Sequence, residues 1–342
     1  MNLNKFVGYS FDDVLIVPTF SDIVSREQIS TKTSLGYYKE VHLDVPIISA
    51  NMDTVTGSEM VNAMSESGGI GALHRFCSID ENVGMFKQNK NCFVSFGTSP
   101  TEIDRAMALY EEGADKFILD IAHGASVSAV TAYNAFRKRT NNNRNIHIMV
   151  GNFATANSIK KFVSFTDMKP DSFKVGIGGG SMCTTRIVTG VGVPTLGSVL
   201  DCMNTGYHII ADGGIRNSGD VAKCLAAGAK AVMIGGMLSG TDETPGTIEL
   251  YNDVPHKTYR GSASKESYDT QGKVAKHRTP EGVSTYVRCK GSAKDVIQSI
   301  RAGVSSCLSY INAKNLSEIT TKAEFLEITS AAMRESHAHG KY

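Results

Sequence analysis

Short apolar runs, each closing on Gly, Asn, Asp or His, recur along the whole chain. They are VPIISANMD (45–53), GIGALHR (69–75), CFVSFGT (92–98), KFILDIAHG (116–124), IHIMVGN (146–152), SFKVGIGGG (172–180), HIIADGG (208–214) and AVMIGG (231–236). Continuous apolar and β-branched runs are what parallel strands need when both faces are buried. Helical spacing appears between several of them, as in EIDRAMALYEEGA (102–114) and NSGDVAKCLAAGA (217–229). Eight strands alternating with helices predict an α/β fold, a (β/α)8 TIM barrel. A doubly wound sheet needs fewer strands and an early G-x-G-x-x-G, which the chain lacks.

A barrel gives the polar strand ends a common address, because barrel enzymes build their sites at the C-terminal face. Asn51, Asp53, His74, Arg75, Asp120, His123, Asn152, Cys183 and Asp212 then converge on one mouth. Any one of them alone reads equally well as a helix cap or loop turn; the whole set does not. Two glycine signals add a phosphate expectation. DGGIRNSGD (212–220) follows the seventh strand and IGGMLSG (234–240) the eighth. Those are the loops with which barrels commonly hold phosphate, through bare backbone N–H groups and a helix N-terminus. The competing reading of each Gly pair is tight packing of strand against helix. Asp212, just ahead of the first pair, suits ribose hydroxyls, so the ligand class expected is a nucleotide or sugar phosphate.

Composition narrows this picture. The 342 residues are 41% hydrophobic, enough for a large single core, and Lys+Arg (35) against Asp+Glu (34) leaves a net charge of +1. That excludes the basic surplus of a nucleic-acid binder, and the apolar runs are too short to span a membrane. The start, MNLNKFVGYSFDD, lacks the apolar core of a signal peptide. Seven scattered cysteines without CxxC spacing fit a reducing, cytoplasmic setting and argue against disulfides or a zinc site.

One cysteine stands apart. Cys183 follows Gly178, Gly179, Gly180 and Ser181 at the end of the sixth run. Backbone N–H groups at a helix start favour the thiolate, which can attack an electrophilic carbon. Cys92 and Cys224 read instead as small buried apolar residues.

Four motifs then carry a resemblance: GIGGGSMCTTR (176–186), IADGGIR (210–216), MIGG (233–236) and SANMDTV (49–55). In this order, at strand ends, they resemble the inosine monophosphate dehydrogenase and guanosine monophosphate reductase family, and the match runs from FDDVLIVP (11–18) beyond KGSAKDVI (290–297). The resemblance implies a homotetrameric barrel in which Cys183 bonds covalently to purine C2 of a nucleoside monophosphate while a nicotinamide cofactor exchanges hydride with that carbon. It also implies a monovalent cation, K+, held by carbonyl oxygens at Gly178, Gly180, Cys183 and Arg186.

Two features favour the reductase branch. The dehydrogenase usually carries two regulatory modules between strands 2 and 3; here only residues 77–91 separate them, so one barrel spans 1–342, with a flap at about 259–290. That flap has no Arg-Tyr pair to activate water; Tyr259-Arg260 has the reverse order. LDIAHG, LHRF and HRTPEG also look like the reductase, although the family often has Pro where this chain has Gly179. The implied reaction is GMP plus NADPH giving IMP, ammonia and NADP+, with IMP dehydrogenase chemistry (IMP plus NAD to XMP) as the alternative. Thr185 and Glu281 are the implied proton relay for the leaving amine, since amide ion leaves only when protonated. By residue type alone, Thr185 is a helix N-cap and Glu281 a solvated flap charge. Implied substrate contacts are Ser181, Asp212, Gly213, Gly214, Gly235, Gly236, Gly261, Ser262, Ala263, Arg278 and Gly282. Implied cofactor contacts are Ser25, Arg26, Arg75, Asp120, Ile121, Ala122, Gly178 and Ser306.

Overall fold

The computed structural model describes residues 8–270 and 279–336. All eight expected strands form: β1 (Ile47–Ser49), β2 (Gly71–Leu73), β3 (Cys92–Phe96), β4 (Lys116–Asp120), β5 (His147–Phe153), β6 (Ser172–Val175), β7 (Ile209–Asp212) and β8 (Ala231–Ile234). They lie in one sheet in the order β1-β8-β7-β6-β5-β4-β3-β2, with every pair parallel. A bridge between Ile48 and Ile70 brings β1 back to the start of β2 and closes the ring. The chain is therefore a (β/α)8 barrel. β1, β2, β3, β6 and β8 are buried along their full length, so their apolar runs need no polar alternation.

The helices between the strands are α1 (Ser58–Glu66), α2 (Ile79–Gln88), α3 (Pro100–Glu111), α4 (Val127–Arg139), α5 (Ala156–Val163), the short α6 (Thr185–Thr189), α7 (Thr195–Cys202) and α8 (Ser218–Ala226). Local chemistry sets their ends. Ser78 and Glu81 make a reciprocal capping box on α2. Ser99 caps α3, with Pro100 in its first turn. α3 and α8 stop short of the predicted 114 and 229 because Gly113 (φ +97°) and Gly228 (φ +107°) turn left-handed just past their last residues. Helix and strand aromatics meet over the barrel wall; the rings of Phe96, Phe117 and Phe136 pack edge-on or tilted with centroids 4.8–6.4 Å apart.

Beyond β8 the chain adds a three-stranded antiparallel sheet of β9 (Glu249–Tyr251), β10 (Val254–Arg260) and β11 (Ser284–Arg288). Asn252 (φ +50°) and Asp253 (φ +60°) form the two-residue turn between β9 and β10, a conformation these side chains tolerate. α9 (Lys265–Thr270) lies between β10 and β11, and α10 (Ala293–Tyr310) packs on α8 and α1. The β10–β11 pair thus brackets most of the segment expected as a flap. Among the described residues no helix is long and apolar enough to cross a membrane.

Candidate active site

β6 ends at Val175, earlier than its apolar run suggests, because the glycines that follow turn sharply. Gly176 (φ +145°) passes so close to β7 that a Cβ there would sit 1.9 Å from the Asp212 carbonyl oxygen. Gly178 (φ +82°) continues the turn. The chain leaves the barrel and delivers half-buried Cys183 to a loop ahead of α6. The Cys183 thiol donates to Thr185 Oγ1 at 3.1 Å, and the Thr185 hydroxyl donates to Glu281 Oε2 at 2.7 Å. Two readings by residue type are corrected here. The cap of α6 is Thr184, without a side-chain bond, so Thr185 is its first residue and its hydroxyl is free for Glu281. Glu281 is drawn out of solvent by main-chain stitching. Thr184 N donates to Glu281 O (2.8 Å), Val283 N to Met182 O (3.0 Å) and Glu281 N to Ala263 O (3.0 Å).

The same loop meets the glycine pairs. A Cβ on Gly214 would lie 2.8 Å from Gly179 O, and one on Gly213 3.0 Å from Gly180 N. A Cβ on Gly236 would meet Ser181 Oγ at 3.3 Å. On the other side, Gly261 and Gly282 close on Met182 O to the same degree, 3.0 and 3.1 Å from their would-be Cβ atoms, with Ala263 against Gly282. Side chains would separate these strands of backbone, so glycine is what lets the loops after β6, β7 and β8 and the flap share one space. Ser262 lies between Gly261 and Ala263, half-buried. Arg278 lies outside the described residues.

A charged cluster fills the mouth beneath these loops. Lys174 Nζ reaches Asp212 Oδ2 (2.6 Å), Asp120 Oδ1 (3.0 Å) and Asn152 Oδ1 (2.5 Å), with only 4% of its side chain exposed. Asn152 donates to Asp212 Oδ2 at 2.9 Å. Burial alone would raise the pKa of Asp120; the charges of Lys174 and Arg75 outweigh it and hold the carboxyl below its usual value. Burial likewise opposes the charge on Lys174, and Asp120 and Asp212 reverse that and raise its pKa. Arg75 bonds Glu102 Oε2 at 3.3 Å and the Asp120 carbonyl at 3.4 Å. Asp53 is forked by Arg260, with Nε 3.1 Å from Oδ2. His74 is buried beside them; burial first, then Arg105 and Arg260, keep its pKa low against the pull of Asp53.

Sequence reasoning missed Lys174, Tyr259 and Arg260. Lys174 is the one charged letter in the short strand SFKV, where only the pairing of strands reveals two carboxylates around it. Tyr259 hydrogen-bonds Ser181 (3.2 Å between the hydroxyls), and burial raises its pKa.

The expected cofactor residues divide. Arg75, Asp120, Ile121, Ala122 and Gly178 follow strand ends at the mouth, and His123 is exposed there. Ser25 and Arg26 instead cap and begin a short 3-10 turn, Arg26–Gln28, that packs on α10. Ser306 is on α10 itself, where it lines a separate cavity of about 590 Å³ with Ile16, Ala222 and Tyr310. These three line the outside of the barrel and do not join Asp120. Of the cation residues, Gly178, Gly180 and Cys183 sit in the cysteine loop and Arg186 in the first turn of α6. Gly180 O and Arg186 O each accept one backbone N–H, at 3.0 and 3.1 Å, and each keeps a second lone pair. Among the described residues, no three His, Cys, Asp or Glu side chains gather into a metal-binding group.

Comparison with known proteins agrees with the fold. A family model described as IMP dehydrogenase / GMP reductase domain matches residues 8–339. An inosine-5'-monophosphate dehydrogenase of Cryptosporidium parvum is 34% identical over 99% of this chain and 96% of that protein. One from Borreliella burgdorferi is 31% identical over 96% of each. Among solved structures, a GMP reductase of Trypanosoma brucei, a cysteine-to-alanine variant in complex with guanosine 5'-monophosphate, superposes with a TM-score of 0.90 at 27% identity and covers 98% of both chains.

Proposed function

Because the chain belongs to the IMP dehydrogenase / GMP reductase domain family, we propose that it is a reductase of that family, converting GMP to IMP and ammonia at the expense of NADPH. The observation that carries this reading is the continuous chain from Cys183 through Thr185 to Glu281, with links of 3.1 and 2.7 Å. Deamination needs a proton delivered to a poor leaving group. A carboxyl relayed by a hydroxyl to the side of the nucleophile can deliver it.

In this reading Cys183 passes its proton through Thr185 to the Glu281 carboxylate and attacks C2 of GMP. Glu281 returns that proton through Thr185 to the exocyclic amine, and the C2–N bond breaks as ammonia leaves. The nicotinamide, when bound, supplies hydride to C2. Cys183 then leaves as the C2–S bond breaks. The backbone N–H groups about Gly213, Gly214, Gly235 and Gly236, with Ser181, hold the phosphate, and Asp212 takes the ribose hydroxyls. Asp120 and Arg75 face the nicotinamide side. K+ fits carbonyl oxygens, which suit a hard cation, and Gly178, Gly180, Cys183 and Arg186 would hold it. Ser25, Arg26 and Ser306 belong to the cofactor site only if a second copy presents them, which accords with a homotetramer. Phe20, Val24 and Ile187, 88%, 89% and 87% exposed, offer apolar surface for such contacts. The free cysteines accord with a cytoplasmic setting.

IMP dehydrogenase activity is the second reading, favoured by the curated relatives at 31–34% identity. Against it, Arg260 is held by Asp53 rather than free to activate water. One assay separates the two. With GMP and NADPH, the reductase consumes the reduced cofactor and releases ammonia. Formation of NADH from IMP and NAD+, with silence on GMP, overturns the proposal.

A further inference from the structure

Lys174 is the most enclosed charged group at the mouth, and neither the relay nor the phosphate loops account for it. It stands on β6 between β5 and β7, inside the ring, and its ammonium is shared by carboxylates from opposite sides. Asp212, from β7, borders the glycine pair Gly213-Gly214. Asp120, from β4, is on the side of Arg75 and Ile121. The partners leave useful valence behind: both donors to Asp212 use Oδ2, so Oδ1 remains to accept from another group. Asp120 and Asp212 are 17% and 20% exposed, whereas the lysine that joins them is 4% exposed. The ammonium is thus the buried root of the cluster, and the carboxylates are its solvent-facing tips.

We propose that Lys174 is a positioning residue that ties Asp212 to Asp120, holding both as ionised acceptors at a fixed separation across the mouth. The inference rests on the reading of the site above, in which Asp212 meets the nucleotide and Asp120 the cofactor. The physical need is plain. Two half-buried carboxylates aimed at one point repel, and with nothing between them they share a proton. A protonated Asp212 donates where a ribose hydroxyl needs an acceptor. The other titratable groups facing the cluster are Arg75 with its partner Glu102, and Tyr259. Arg75 touches only the main-chain oxygen of Asp120 by hydrogen bond, and the Tyr259 hydroxyl is paired with that of Ser181, so neither replaces an ammonium bonded to both carboxylates.

The test uses Lys174→Met, which keeps the stem and removes the charge, and the double variant Lys174→Met/Asp120→Asn, which also removes the repulsion. GMP binding without cofactor is measured by calorimetry from pH 5.5 to 8.5, and carboxyl carbons are followed by NMR over the same range without ligand. In the wild type, binding stays level across neutral pH. In Lys174→Met, affinity falls by about tenfold for each pH unit below an acid limb raised by at least about one unit, and a carboxyl pair titrates near neutrality. The double variant restores level binding. A folded Lys174→Met whose binding and carboxyl titration match the wild type overturns the proposal, as does a double variant that keeps the raised limb. Should the single variant fail to fold, the double variant must fold and bind GMP with the wild-type pH profile, and failure to do so overturns the proposal. The carboxyl titration needs no ligand. A wild type that ignores GMP therefore defeats the reading of the site, while the titration still decides the role of Lys174.

Discussion

At the scale of single residues the site divides between a nucleophile and the group that supplies its proton. Cys183→Ala is expected to abolish turnover while leaving GMP affinity near that of the wild type, since the phosphate and ribose contacts lie elsewhere; parallel kinetics and calorimetry check both. Glu281→Gln keeps the shape of the side chain and the bond to Thr185 but cannot donate as an acid. Its kcat is expected to fall by about 10²–10⁴ with little change in GMP binding. Thr185→Val breaks the same chain at its middle link and should show a loss of the same order; a double variant no slower than either single one would place both residues in one proton path. An Glu281→Gln enzyme with unchanged kcat would remove the flap acid from the mechanism.

At the scale of elements, the loop after β6 depends on close approach. Thr195 Oγ1, at the start of α7, is buried and has no partner among the described residues, and it occupies the place a side chain at position 179 would need, 2.4 Å from the would-be Cβ. Gly179→Ala is therefore expected to displace the loop that carries Ser181 and Cys183, raising KM for GMP and lowering thermal stability by about 1–3 kcal/mol, the usual range for overpacking. Thr195→Ala removes the obstructing hydroxyl. The pair Gly179→Ala/Thr195→Ala should recover much of the loss, a coupling that a double-mutant cycle measures directly. If the two changes simply add, the loop is not positioned by that contact.

At the scale of the whole molecule, the barrel has a polar foundation at the end opposite the mouth. Arg137 bonds Asp171 at 2.9 Å with both side chains essentially buried. Removing one partner leaves an unpaired buried charge, so Arg137→Leu is expected to cost about 3–5 kcal/mol in denaturant melts. Beside them His147 is fully buried. Its Nδ1–H donates to Lys39 O (2.9 Å), which leaves Nε2 to accept from the Ser172 hydroxyl (2.7 Å). Burial drives its pKa from 6.5 down to about 4, against the opposing pull of Asp171. Between those values the unfolded chain binds the proton and the folded chain does not. Stability is thus complete above about pH 6.5 and declines as pH falls toward 4. His74 and His208 shift in the same direction and steepen the decline. Melting temperatures across this window should fall in the wild type and fall less in His147→Gln; parallel slopes would remove His147 from the effect.

Much of this was legible along the chain, because barrel strands announce themselves locally. A run such as CFVSF or AVMI is apolar on both faces wherever it is placed, and the glycines after β6, β7 and β8 are demanded by backbone geometry that a linear pattern records. Cys183, the glycine pairs and the polar strand ends follow from that order. Charge partnership is not local. Glu281 is 96 residues from Thr185, and its residue type alone suits a solvated flap. Lys174 lies 38 residues from Asp212 and, by subtraction of 120 from 174, 54 from Asp120. Nothing in SFKV says that its lysine points between two carboxylates. Those pairings exist only once the ring closes and sets neighbouring strands in register. The sequence by itself determined the barrel and the address of its mouth, since burial and turn chemistry act over a few residues. The tertiary structure alone decided which acid serves the cysteine and which base holds the carboxylates, since Coulomb and hydrogen-bond energies depend on distance through space.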